Sequence, residues 1–156
     1  MQVRKSLTAL PIPLFVFRCH GMSRRSRARE VVLQILYQDD LNPVREKHAS
    51  DVFLRERLHQ QQDLIEFAQS LLSGVRRNRD ELDQVLSDRA DNWALERMAA
   101  TDRNVLRLGA FEILYTETPG RVAINEAVEL AKRFGAKQSS QFVNGVLDGL
   151  LPKNAE

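Results

Sequence analysis

The sequence predicts an all-α fold of about seven helices. Three observations carry this. Apolar residues recur at three- and four-residue spacing through every long segment between Arg24 and Leu151. No segment alternates with a period of two, and β-branched runs are scarce. Helix breakers stand between the periodic segments: Asn42-Pro43, Thr118-Pro119-Gly120 and Pro152.

The first helix is expected from Arg24 to Leu41, on Ala28, Val31, Val32, Ile35 and Leu36. At 100° per residue its apolar face centres near Ala28, Val32 and Ile35. Tyr37 falls nearly opposite, beside Glu30 and Gln34, with Arg27 further along that side. Residues 44–50 are polar and read as a loop. From about Asp51 to Arg77, one or two helices carry Val52, Phe53, Leu58, Leu64, Ile65, Phe67, Ala68, Leu71, Leu72 and Val75. Asn78 or Asp80 is placed to cap a helix bearing Leu82, Val85 and Leu86. Trp93, Leu95 and Met98 predict a short helix or packed turn.

Thr101 is the expected N-cap of a helix through Val105, Leu106, Leu108, Ala110, Ile113 and Leu114, with Asp102 in its first turn, where the dipole favours an acid. Val122 to Phe134 is amphipathic, and Gly135 stands where a terminating glycine belongs. A last helix runs from about Gln138 to Leu151. Gly74, Gly109 and Gly145, inside helices, read as close-packing positions.

At 156 residues, one domain over 22–156 is expected. Residues 1–21 differ from the rest, with a basic start and an apolar run interrupted by Pro11 and Pro13. Arg18 and His20 stand where the small residues of a signal cleavage site belong. This segment reads as an extension or misplaced start outside the fold. A single Cys and three His give neither an internal disulfide nor a metal-ligand cluster, and a reducing cytoplasm fits. No phosphate loop or nucleophile motif occurs, and no cofactor is expected. Asp39-Asp40, and Glu126 with Glu129, have no His, Ser or Lys constellation near them. They read as solvated faces or caps, so the chain is not read as an enzyme.

The net charge of +2 conceals an asymmetry. Residues 23–29 hold Arg24, Arg25, Arg27 and Arg29 and no acid, and the body beyond them is net acidic. A basic arm of this kind meets nucleic-acid phosphate or is a solvated helix start. The acidic body suits a basic protein partner. Tyr37, off the apolar face, either stacks on a base or packs into a second core or partner. Phe142 is core or, with Lys137, Gln138 and the free N–H groups starting the last helix, a nucleotide platform.

The segment from Arg121-Val-Ala-Ile-Asn-Glu-Ala-Val-Glu-Leu-Ala-Lys-Arg-Phe to Gly135, followed by Phe142-Val-Asn-Gly-Val-Leu-Asp148, strongly resembles the NusB family of bacterial transcription antitermination factors. The run Arg24-Arg-Ser-Arg-Ala-Arg-Glu30 with Ile35-Leu-Tyr37 resembles the family's arginine-rich first helix. Asp102-Arg-Asn-Val-Leu-Arg-Leu-Gly-Ala-Phe-Glu112 resembles its central helix. The resemblance spans about residues 23–151. It implies two small helical bundles packed across each other, and binding to the single-stranded boxA RNA of ribosomal RNA operon leaders. It also implies a heterodimer with NusE, a small-subunit ribosomal protein, acting with NusA, NusG and RNA polymerase. By position, Arg24, Arg25, Arg27 and Arg29 would contact phosphate, Tyr37 and Phe142 bases or sugar, and Asp102 would lie toward NusE. Gln138, near the RNA, is neutral where relatives are often acidic. Two other readings stay open. One is a protein-interaction or self-dimerising helical module. The other is an accessory RNA-binding domain like those preceding RNA methyltransferases.

Overall fold

A computed structural model describes residues 23–42, 47–90 and 94–153. The expected extension over 1–21 and Trp93 lie outside the described residues. Among those described, the backbone forms seven helices and no strand. They are α1 (Arg24–Leu41), α2 (Lys47–Arg57), α3 (Gln62–Arg77), α4 (Arg79–Arg89), α5 (Ala100–Tyr115), α6 (Gly120–Phe134) and α7 (Ser139–Asp148). A 3₁₀ turn over Leu95–Arg97 is the short element expected there. None of these helices is long and apolar enough to cross a membrane.

Ion pairs along α1 show how the helices run. Arg24 at its start pairs with Asp63 at the start of α3, and Asp39 at its end pairs with Arg76 at the end of α3. These two helices are therefore parallel. Arg29 near the start of α1 pairs with Glu112 near the end of α5, whereas Asp40 at its end pairs with Arg103 and Arg107 near the start of α5. So α1 and α5 are antiparallel. One bundle, α1 to α3, thus packs across another formed by α5 to α7, and α4 lies chiefly against α5.

This placement corrects the expected face of α1. All nine residues from Ala28 to Leu36 are buried, Arg29, Glu30 and Gln34 included. The helix is covered around its circumference by α2, α3 and α5, so no wholly solvated side remains. The expected loop over 44–50 is shorter than read, because α2 begins at Lys47. The α2–α3 turn holds His59 and Gln60 at φ 52° and 59°, a left-handed pair of non-glycine residues that delivers Gln61 to Arg24.

Several terminal details differ from expectation. Thr101 lies inside α5; Ala99 occupies its N-cap, without a side-chain hydrogen bond. Asn78 occupies the N-cap of α4, yet its amide donates back to the Gly74 carbonyl at 2.8 Å. Gly135 ends α6 at φ −91°, so no left-handed cap is made. Close approach is what requires glycine there: a Cβ would lie 2.6 Å from Ser139 Oγ and 2.7 Å from the Ala131 carbonyl. The last helix starts at Ser139 and ends at Asp148, inside the expected limits.

Two of the three glycines read as close-packing positions are such. A Cβ at Gly74 would lie 2.0 Å from Phe111 Cζ, and one at Gly109 would lie 2.6 Å from Leu147 Cδ1. Gly145 is not one of them, because nothing stands within 4 Å of where its Cβ would be.

Candidate nucleic-acid interface

The basic run forms the first turns of α1. Ser23 starts the helix: its Oγ accepts from Ser26 N at 3.1 Å. No acid stands in this first turn, so four arginines gather at the positive end of the helix dipole. That arrangement is unfavourable alone and improves when an anion arrives.

The four arginines have separate fates. Arg24 is the most open, its side chain 65% exposed, and donates to Gln61 Oε1 at 2.7 Å and Asp63 Oδ1 at 3.1 Å. Arg25 is exposed and lies over the Phe67 ring of α3, 4.7 Å from its centroid. Arg27 is half-buried, with Nη1 3.7 Å from Glu30 Oε2. The expectation that Arg29 contacts phosphate is corrected, because its side chain is turned inward and is 4% exposed. It donates through Nε and Nη2 to Glu112 at 2.7 to 3.1 Å, and Nη1 lies 3.7 Å from Glu126. Two carboxylates inside the fold already satisfy it.

Glu30 joins this end of α1 to α6. Its carboxylate accepts from Arg133 in the last turn of α6. Burial pushes the Glu30 carboxyl above the usual carboxylate range, against the pull of Arg133 and Arg27. Ser26 Oγ adds a second link, to both oxygens of Glu126 at 2.8 and 2.9 Å. The chain leaving Arg133 leads within a few residues to Lys137 and Gln138, both exposed. Phe142 follows one turn into α7, half-buried and packed against the core. Arg24, Arg25, Arg27, Lys137, Gln138 and Phe142 therefore belong to one end of the molecule. The sequence reading missed Arg133 and Glu30. The available signal was a cation immediately before Phe134-Gly135.

Tyr37 and Asp102 belong to the other end. Tyr37 is half-buried, thirteen residues beyond Arg24, about 20 Å along the helix axis. Asp102, in the first turn of α5, lies at the Asp40 end because α5 runs antiparallel to α1. Its Oδ1 is buried and accepts no hydrogen bond among the described residues.

The acidic pairs read as solvated faces or caps are corrected here. Asp39 is bound bidentately by Arg76 at 2.7 and 2.8 Å. The Asp40 side chain is 5% exposed and accepts from Arg79, Arg103, Arg107 and Asn104 at 2.9 to 3.3 Å. Burial pushes Asp40 up, but hydrogen bonds from Arg103 and Asn104 and the charge of Arg107 outweigh it and hold the carboxyl below its ordinary value. Glu126 is half-buried on Ser26 and Arg29; Glu129 alone matches the solvated reading, paired with Lys132.

No group of three or more His, Cys, Asp or Glu among the described residues could hold a metal ion. Fold and surface together define the class: a small all-helical protein of two crossed bundles, carrying an arginine-rich end.

The model of the NusB family matches residues 26–152. A transcription antitermination protein NusB of Anaeromyxobacter dehalogenans is 44% identical over 126 residues, which is 81% of this chain and 89% of that protein. One of Myxococcus xanthus is 44% identical over 131 residues, 81% of this chain and 94% of that one. Among solved structures, T. maritima NusB superposes with a TM-score of 0.74 at 33% identity, covering 88% of this chain and 96% of that one. A chain in a crystal structure of the antitermination factors NusB and NusE in complex with dsRNA gives 0.68 at 27% identity, covering 83% and 96%. The chain belongs to the NusB family, a non-enzymatic family of transcription antitermination proteins.

Proposed function

We propose that this protein binds boxA-type single-stranded RNA of ribosomal RNA operon leaders through its arginine-rich end, in the cytoplasm and together with NusE. The observation that carries this reading is the gathering of Arg24, Arg25 and Arg27 at the start of α1 beside the α6–α7 junction with Lys137, Gln138 and Phe142. The arginines supply salt-dependent, sequence-tolerant attraction to phosphate. Phe142 supplies a ring for an unpaired base, and Lys137 a further cation. Neutral Gln138 adds no repulsion to an approaching phosphate. The solved relative bound to NusE and RNA supports the partner classes. NusE belongs toward Asp102, remote from the arginines, so one chain can hold both partners. NusA, NusG and RNA polymerase complete the assembly in this reading.

The test is fluorescence anisotropy of a boxA-type RNA and a scrambled RNA against the protein. It includes a salt series and the Arg27→Ala and Phe142→Ala variants. Selective binding that weakens with salt and with both substitutions is expected. No binding even with NusE added overturns the RNA reading.

A protein-interaction role has one observation in its favour: Leu114, Tyr115 and Val122, large and exposed, flank the α5–α6 turn. An RNA-inert homodimer in gel filtration would establish that role instead.

A further inference from the structure

Glu30 is 1% exposed, yet its two cationic partners are not buried with it: the side chains of Arg27 and Arg133 are 20% and 34% exposed. Arg133 donates to Oε1, and Arg27 lies 3.7 Å from Oε2. Oε2 itself, and Oε1 of Gln34 one turn further along α1, are buried and accept no hydrogen bond among the described residues. Gln34 is 7% exposed. These two acceptors thus lie at the bottom of a site whose rim is two guanidinium groups, with Arg27 Nη1 buried beside them, beyond hydrogen-bond distance of Oε2.

The surrounding charges are balanced. Arg29 of α1 faces the same region, but Glu112 of α5 and Glu126 of α6 hold it. Three guanidinium groups therefore meet three carboxylates, and only Arg27 and Arg133 reach solvent. An anion arriving at this rim can draw on those two alone. Drawing on them leaves a carboxylate uncompensated in a buried position, which is strongly unfavourable while it stays ionised. Protonation removes that penalty and turns Glu30 from an acceptor into a donor.

We propose that Arg27 and Arg133 form a phosphate site that Glu30 holds closed in the absence of RNA, and that an RNA phosphate takes both guanidinium groups from Glu30 while Glu30 takes up one proton from solvent. The inference rests on the RNA reading above. Arg133 is then an RNA contact supplied by α6, and Glu30 a positioning residue that never touches RNA. Burial already biases the Glu30 carboxyl toward its protonated form, and removing two cations while adding a phosphate moves it the same way. The protonated form therefore binds RNA better, and affinity rises as pH falls.

The experiment is anisotropy of a boxA-type single-stranded RNA against the full chain between about pH 5.5 and 8, at fixed salt, where an ordinary His also titrates. His59 is exposed in the α2–α3 turn, so His59→Gln serves as background. Wild type and His59→Gln are expected to lose up to about tenfold in affinity per pH unit. Glu30→Gln is expected to bind at least as tightly as wild type with this dependence flattened. Arg133→Ala is expected to lower affinity and to reduce the salt slope by about one. Circular dichroism confirms the fold of each variant, and calorimetry in two buffers of different ionisation enthalpy reads the proton directly. A wild-type pH slope retained in Glu30→Gln, or Arg133→Ala with unchanged affinity and salt slope, overturns the proposal. Loss of RNA binding by every protein at every pH, wild type included, is instead the failure of the RNA reading, and this inference falls with it.

Discussion

Arg29 of α1 and Glu112 of α5 are locked together inside the protein, 3% and 1% exposed, by three hydrogen bonds of 2.7 to 3.1 Å. The pair joins the two bundles at the arginine-rich end, and Thr118 adds a hydroxyl donor to the same carboxylate. Removing one partner leaves the other as a buried, unpaired charge. Arg29→Ala or Glu112→Ala is therefore expected to cost about 3–5 kcal/mol in urea unfolding. The double variant Arg29→Met/Glu112→Leu is expected to cost much less than the two single losses combined.

Arg24→Ala and Arg25→Ala are expected to behave oppositely to Arg29→Ala. Both side chains are exposed, so their removal changes thermal stability little. Each is expected to weaken binding to boxA-type and scrambled RNA alike and to reduce the salt slope by about one. The readout is Kd against salt concentration, below the melting temperature of every variant.

Acid is expected to weaken the far end of α1. Asp40 titrates lower in the folded protein than in the unfolded chain. Its contribution to stability is therefore fully present above its unfolded value, about 3.9, and is lost as pH falls through the lower folded value. Asp40→Asn is expected to be less stable than wild type at neutral pH, with the gap closing toward acid. Melting temperatures from pH 7 downward check this.

Gly74 and Gly145 are expected to respond to alanine with opposite signs. At Gly74 the new methyl meets the Phe111 ring, and a loss of about 1–3 kcal/mol is expected. At Gly145 there is open space, and better helix propensity is expected to stabilise by up to about 1 kcal/mol. Chemical denaturation of the two variants beside wild type decides both.

Phe142→Ala is expected to lower boxA affinity by about 1–3 kcal/mol if one base stacks on the ring. The same substitution also removes packing against the core. Phe142→Leu separates the effects, because it keeps most of the buried volume but offers no ring. Affinity lost in both variants, with stability kept in Phe142→Leu, marks the ring as the contact.

The sequence by itself determined the helices. Spacing of Leu, Val, Ile and Ala, interrupted by Pro43, Pro119 and Pro152, is a local signal that backbone geometry translates directly into helical segments. It also determined the family, because Arg121 through Gly135 and Phe142 through Asp148 are long contiguous matches. The tertiary structure decided which charged groups are available. Arg24 and Arg29 are chemically identical and lie on one helix, yet one is exposed and the other is sealed against Glu112. Likewise Asp40 read as solvated, yet three arginines from α4 and α5 converge on it. No periodicity of α1 records this, since the neighbours that cover it come from other helices far along the chain. Helix formation depends on neighbours three and four residues along the chain, whereas the availability of a charge depends on what packs against it. Only the crossing of the two bundles sets that.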